Sequence, residues 1–93
     1  MIPTLEWTEA GVRLLDQRAL PGEIAYILCR NAAEVAAGIR DMVVRGAPAI
    51  GVAAAMGVAL AAKQSRAASV PELLAELTAA SETLRQTRPT AVN

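Results

Sequence analysis

An arginine and a glycine stand directly before a predicted helix, and this is the stretch of the sequence best suited to binding chemistry. Arg45 and Gly46 precede Ala47 and Pro48, and proline suits the first turn of a helix because its missing N–H would have no partner there. The free N–H groups and the dipole at a helix N-terminus attract anions, above all phosphate. The glycine lets a ligand come close, and the arginine can hold a phosphate through two hydrogen bonds.

Each candidate residue also has a plainer interpretation. The spacing around Arg45 is neither a Walker A loop nor a dinucleotide fingerprint, and alone it favours an ordinary turn between helices with a solvated arginine. Arg88 lies where Pro89 is expected to break a helix, but an arginine there also complements the negative end of the helix dipole. Cys29 has no histidine in the chain to activate it, so we expect a buried, inert thiol.

Composition excludes several classes of partner. Nine basic and nine acidic residues cancel, so no overall field attracts nucleic acid or an anionic membrane. One cysteine and no histidine predict neither an internal disulfide nor an ordinary zinc site, which fits a reducing cytoplasm. Residues 47–62 are uncharged but fall short of the roughly 20 that span a bilayer, so a buried helix is the better interpretation. The N-terminus has no signal-peptide pattern.

The first thirty residues predict a small antiparallel meander, because short apolar stretches alternate with turn residues. Strands are expected at 4–8, 12–17 and 24–30. Gly11 can take a positive φ in the first turn, and Pro21 followed by Gly22 predicts a type II turn in the second. Both faces of the third strand are apolar, so helices should cover at least one of them.

Three helices are predicted after the meander, at 31–44, 48–64 and 69–86. Asn31 with Glu34 and Ser69 with Glu72 have the spacing of capping boxes. The first and third helices are amphipathic, whereas the second is apolar all round and is predicted to be central and buried. The predicted class is α+β, with the meander at 1–30 and the helical part at 31–93 of one domain.

Several motifs together closely resemble the methylthioribose-1-phosphate isomerase family. They are Leu-Leu-Asp-Gln-Arg at 14–18, Leu-Pro-Gly at 20–22, Arg-Gly-Ala-Pro-Ala-Ile-Gly at 45–51 and Thr-Arg-Pro-Thr-Ala-Val-Asn at 87–93. The combination of the last two is far more specific than either alone. The resemblance therefore makes phosphate binding the preferred interpretation of the stretch around Arg45.

The resemblance implies the N-terminal domain of a cytoplasmic enzyme of methionine salvage. That enzyme converts 5-methylthioribose 1-phosphate into 5-methylthioribulose 1-phosphate, and a larger Rossmann-like domain follows the small one. Carried over, Arg45, Gly46, Ala47 and Arg88 bind the sugar phosphate, and neither a metal nor an organic cofactor is implied. The catalytic cysteine and aspartate belong to the larger domain, and neither Cys29 nor Asp41 matches them.

The resemblance also implies partners and rivals. The chain should contact its own C-terminal domain, and the parent enzyme should form a homodimer. The same superfamily includes ribose-1,5-bisphosphate isomerases and the regulatory subunits of initiation factor 2B, so a scaffold role is the alternative. Pro-Ala-Ile at 48–50 favours the methylthioribose branch.

Overall fold

A computed structural model describes residues 4–87, which form a three-stranded sheet and then three helices. The strands are β1 (Leu5–Thr8), β2 (Gly11–Leu15) and β3 (Tyr26–Cys29). The helices are α1 (Ala32–Arg40), α2 (Ala47–Gln64) and α3 (Val70–Thr87). The predicted α+β class and the antiparallel meander are confirmed.

The sheet has the order β1-β2-β3, and one of its faces supports the helices. Val12 pairs with Cys29 and Leu14 with Ile27, which places these apolar side chains on the same face because side chains alternate along a strand. Val12, Leu14 and Cys29 are almost fully buried there. Gly11 has φ 148°, and a Cβ at this position would clash with the carbonyl oxygen of Cys29. The prediction that Gly11 takes a positive φ is confirmed.

The connection from β2 to β3 differs from the prediction. Gly22 does not have a positive φ, so the predicted type II turn is wrong. The Leu20–Pro21 peptide is cis. The chain turns through a wider loop, in which the N–H of Glu23 donates to the carbonyl of Ala19 over 3.1 Å. The strands are also shorter than predicted, since β2 ends at Leu15 and β3 begins only at Tyr26.

Helix starts follow the predicted capping pattern at α1 and α3. The side chain of Asn31 accepts from the N–H of Glu34 over 2.9 Å, and Ser69 accepts from Glu72 over 3.3 Å. The glutamates reach back one residue further than a standard capping box. Glu34 accepts from the N–H of Arg30 and Glu72 from that of Ala68, so each pair still satisfies two backbone donors.

The α3 helix runs back along α2 in the opposite direction. Gly57 lies in the middle of α2, and a Cβ there would be 2.9 Å from the Leu84 side chain near the end of α3. Ala61, further along α2, shares a cavity with Ala79, which comes earlier in α3. Within the described residues of α3, only Leu84 is fully buried.

The predicted central position of α2 is confirmed, since it contacts both other helices and the sheet, but the prediction that it is buried is wrong. Only Ile50, Ala53, Gly57 and Leu60 are buried in this helix, whereas Val52 is 47% exposed. The reason is that the sheet, α1 and α3 all pack against the same side, and apolar composition does not reveal which side of a helix is covered. With 18 residues and a mean hydropathy of 1.3, α2 meets the length and composition of a membrane span, a weak test that core helices also pass.

The end of α1 also differs from the prediction, which extended this helix to Val44. The helix ends at Arg40, and Met42 adopts a left-handed backbone with φ 68°. The N–H of Val43 donates to the carbonyl of Gly38 and the N–H of Met42 to that of Ile39. This is the hydrogen-bond pattern of a Schellman motif, which normally has glycine at the left-handed position. Val43 and Val44 are buried by this turn, whereas Met42 is 40% exposed.

A left-handed methionine should cost stability, and this can be measured by replacing Met42 with glycine and with alanine. Both changes remove the side chain, but only glycine is free of the Cβ clash, which costs about 1–2 kcal/mol. We therefore expect Met42→Gly to have a free energy of unfolding about 1 kcal/mol higher than Met42→Ala in urea denaturation. Equal stabilities of the two variants would contradict a left-handed residue at this position.

Candidate functional site

Backbone hydrogen bonds hold the link between α1 and α2 in place just before Arg45. The N–H of Val43 donates to Gly38, and the carbonyl of Val43 accepts from the N–H of Gln17, both over 2.9 Å. The side chain of Val44, the next residue, is fully buried. Arg45 is exposed. The two residues before it are held in place by the hydrogen bonds of Val43 and the burial of Val44.

The predicted residues Arg45, Gly46 and Ala47 lie together at the start of α2. Gly46 is the N-cap residue, with φ 89°, and it has no side chain that could cap the helix. The N–H of Ile50 makes the first bond of the helix, to the carbonyl of Gly46. Since Pro48 has no N–H, those of Ala47 and Ala49 are the donors of the first turn that the helix itself leaves unsatisfied. All three predicted residues are exposed.

The start of α2 is electrostatically different from the starts of the other helices. Glu34 in α1 and Glu72 in α3 place a carboxylate in the first turn, which complements the positive end of the dipole. The first turn of α2 contains no acidic residue. The positive end of α2 is thus exposed and directly follows the exposed Arg45 in the chain, and this combination suits an anion.

No role in the site was predicted for Asp16 and Arg18, although both belong to the Leu-Leu-Asp-Gln-Arg motif. Asp16 is buried, and its carboxylate accepts from the Nε and Nη2 of Arg18 over 2.9 and 3.0 Å. The hydrogen bond from Arg18 is the main reason that the pKa of Asp16 lies below its usual value, and the positive charge of Arg45 lowers it further. The backbone next to Asp16 contacts the α1–α2 link directly, because the N–H of Gln17 donates to the carbonyl of Val43. The Asp-Gln-Arg spacing could have indicated a side-chain-stabilised turn, but not its place beside α2.

Arg88, the fourth predicted residue, lies outside the described residues. The structure bears on the prediction for Arg88 only by showing where the described part of α3 ends. Gln86 and Thr87 share a cavity with Arg40, the last residue of α1. The C-terminal end of α3 thus lies beside the end of α1, from which the link to Arg45 starts.

The environment of Cys29 is that of a structural thiol. Its side chain is 1% exposed, and the thiol donates a hydrogen bond to the carbonyl of Glu34 over 3.5 Å. Burial raises the pKa of Cys29 to about 11, and the negative charge of Glu34 adds to the effect. Because the thiolate is the reactive form, this cysteine is poorly suited to nucleophilic chemistry at neutral pH.

Comparison with known proteins places the chain in a family. The sequence profile of the Initiation factor 2 subunit family matches residues 43–93, more than half of the chain, and the chain belongs to this family. Among curated relatives, methylthioribose-1-phosphate isomerase of Koribacter versatilis is 50% identical over 93 residues, and that of Synechococcus sp. is 56% identical over 90. These alignments cover 100% and 97% of this chain but 26% of each relative.

Solved structures show the same fold. The 5-methylthioribose 1-phosphate isomerase from Pyrococcus horikoshii is 44% identical and superposes with a TM-score of 0.93, over 100% of this chain and 26% of that one. The translation initiation factor eIF-2B, subunit delta, from A. fulgidus is 43% identical with a TM-score of 0.89, over 99% and 27%. The chain thus spans about a quarter of the length of the proteins that it matches.

The raised pKa of Cys29 predicts how stability depends on pH. The unfolded thiol ionises near its usual value of 9.0, whereas the folded thiol stays protonated until about pH 11. The contribution of the neutral thiol is therefore complete below pH 9 and is lost as the pH rises through 11. Cys29→Ser should be less stable than the wild type at pH 8, because a buried hydroxyl with a poor partner costs about 1–3 kcal/mol.

The measurement is urea denaturation of both proteins at pH 8 and pH 11. The gap in free energy of unfolding should narrow at the higher pH, because only the wild type loses stability through thiol ionisation. A gap that is the same at both values would mean that Cys29 ionises equally in the two states.

Proposed function

We propose that this chain is the N-terminal, phosphate-binding part of an aldose–ketose isomerase that acts on 5-methylthioribose 1-phosphate. The observation that carries the proposal is the exposed start of α2, where Arg45 stands beside a helix end with no acidic residue in its first turn. Identity of about 50% to methylthioribose-1-phosphate isomerases over the whole chain supports this choice of substrate. The site would take the phosphate dianion between the guanidinium and the N–H groups of Ala47 and Ala49.

The role of this part would be anchoring rather than proton transfer. Phosphate on the anomeric oxygen prevents free ring opening, so the enzyme must open the ring and then move a proton from C2 to C1 through an enediol-type intermediate. A general acid/base must be placed against the substrate for this step, and a fixed phosphate provides that placement. Cys29 is too buried to serve, so the acid/base would come from the remainder of the enzyme, and these residues alone would be inactive.

The uncovered face of α2 supports a domain interface as the second role of this chain. Gly51, Val52, Ala55 and Ala59 are exposed along one side of this helix, at positions that recur about every turn. Small residues allow another backbone to approach closely, and adjoining apolar surface favours its burial. The occupant that we propose is the C-terminal domain of the same polypeptide, in a cytoplasmic homodimer.

A scaffold role is the alternative, and one observation favours it. The structure of the initiation factor eIF-2B delta subunit from A. fulgidus matches nearly the whole chain with a TM-score of 0.89. Turnover of 5-methylthioribose 1-phosphate by the full-length gene product would decide between the two functions. Binding without turnover would support the scaffold.

The phosphate site itself can be tested on the ninety-three-residue chain. Titration with inorganic phosphate should shift the amide resonances of Gly46, Ala47 and Ala49 in ¹⁵N-resolved NMR spectra. Arg45→Ala should weaken binding roughly ten- to hundredfold, since a charged hydrogen bond contributes about 1.5–3 kcal/mol. Arg66→Ala is the matched control, because this exposed arginine follows the opposite end of the same helix, about 27 Å away.

Loss of binding in both variants would point to a general effect of positive charge rather than to a site at Arg45. Phosphate shifts that spare the first turn of α2 would contradict the location. Either result would remove the main support for the proposed function.

Arg88 is tested by kinetics of the full-length gene product. Arg88→Ala should lower kcat/KM for 5-methylthioribose 1-phosphate roughly ten- to hundredfold, for the same energetic reason as Arg45. Arg88→Lys should restore only part of the loss, because a point charge lacks the planar fork of the guanidinium. Arg85→Ala, which removes an exposed arginine from the last turn of α3, is the control and should have little effect. Unchanged kinetics of Arg88→Ala would exclude this residue from the site.

A further inference from the structure

Asp16 is a buried acid in a place where burial needs an explanation. It is 9% exposed, and its carboxylate accepts from the backbone N–H of Arg18 over 2.9 Å as well as from the guanidinium. Burial of a carboxylate is unfavourable unless hydrogen bonds and an opposite charge compensate it. The pair thus forms a closed unit of three hydrogen bonds within three residues, and this unit fixes the backbone of Gln17 between them.

The fixed backbone joins three parts of the fold. The N–H of Asp16 donates to the carbonyl of Ala25, just before β3, over 2.8 Å. The N–H of Gln17 donates to Val43, in the link between α1 and α2. Val43 is two residues before Arg45. The turn made by Asp16 and Arg18 therefore holds the backbone of the α1–α2 link just before Arg45.

The ion pair with Arg18 keeps Asp16 charged. The hydrogen bond from Arg18 is the largest reason that the pKa of Asp16 lies below its usual value, and the charge of Arg45 makes the smallest contribution in that direction. The guanidinium of Arg18 is paired with Asp16, and 47% of the Arg18 side chain is exposed. The negative charge of Asp41 also favours the charged form of Arg18 and raises its pKa.

We propose that Asp16 and Arg18 are positioning residues for Arg45. Their turn holds the α1–α2 link in place through the hydrogen bond from Gln17 to Val43, and so fixes the backbone from which Arg45 extends at the start of α2. The inference rests on the proposed function, because it assigns these residues to the same phosphate site. Neither residue would touch the substrate.

A double-mutant cycle of Asp16→Asn and Arg45→Ala in the full-length gene product tests this role. The amide of Asp16→Asn keeps the shape and one acceptor but loses the charge. We expect it to raise KM for 5-methylthioribose 1-phosphate about three- to tenfold with little change in kcat. When combined with Arg45→Ala it should raise KM no further, because there is no guanidinium left to position. Glu6→Gln, which breaks the ion pair across β1 and β2 with Arg13, is the matched control and should change neither constant.

If the fold-changes in KM caused by Asp16→Asn and by Arg45→Ala multiply in the double variant, Asp16 acts independently of Arg45. Its role would then be merely structural, and the inference would be overturned. If Arg45→Ala left KM unchanged, the phosphate site itself would fail and the inference with it, so the two failures are distinguishable. If Asp16→Asn does not fold, the same test is made with variants of Arg18, whose side chain is more exposed. Arg18→Ala should raise KM and Arg18→Lys should restore part of the loss, again only while Arg45 is present. A KM for Arg18→Ala equal to that of the wild type would overturn the proposal.

Discussion

The left-handed turn at Met42 is the constraint on which the arrangement of the helices depends. If α1 continued to Val44, Val43 and Val44 would lie on the surface of that helix, and the chain would keep the direction of α1. By ending at Arg40, the chain instead sends both valines into the core and lets Arg45 emerge. The energetic cost of a methionine with φ 68° is offset by two buried valines and by the hydrogen bonds at both backbone groups of Val43.

The direction of this link leaves the start of α2 exposed and uncapped, while α1 and α3 have their starts closed by Asn31 and Ser69. As an N-cap, glycine costs only about a few tenths of a kcal/mol relative to serine or asparagine, but it offers no side-chain acceptor, so the first N–H groups of α2 depend on solvent or a ligand. A phosphate bound there would supply the missing acceptors and the missing negative charge at once. The local loss of stability and the proposed binding site are thus two aspects of one feature.

Local chemistry made much of the fold predictable. The turn at Gly11 and the caps at Asn31 and Ser69 depend on residues close in sequence, and their positions were correct. The end of α1 was not predictable, because the apolar period of the helix continues into Val43 and no glycine marks the turn. The exposure of α2 was missed because its composition is apolar on every side. Arg45, Gly46 and Ala47 are consecutive, so the sequence alone could indicate them as one candidate site. Asp16 and Arg18 gain a relation to them only through the contact of Gln17 with Val43, which is 26 residues away.

The same helix offers both its positive end and its uncovered apolar face, and this links the two proposed roles. An element that packs on Val52 and Ala55 must lie within two turns of the residues that would hold the phosphate. Under the proposed function, the remainder of the enzyme would bring its acid/base groups to the substrate by covering α2, and it would also exclude water from the charged site. Exclusion of water strengthens the interaction of Arg45 with a dianion, because the effective dielectric falls. Packing of that remainder on α2 and tight binding of the phosphate would then reinforce each other, whereas α1 and α3, whose starts are already closed, could not couple the two in this way.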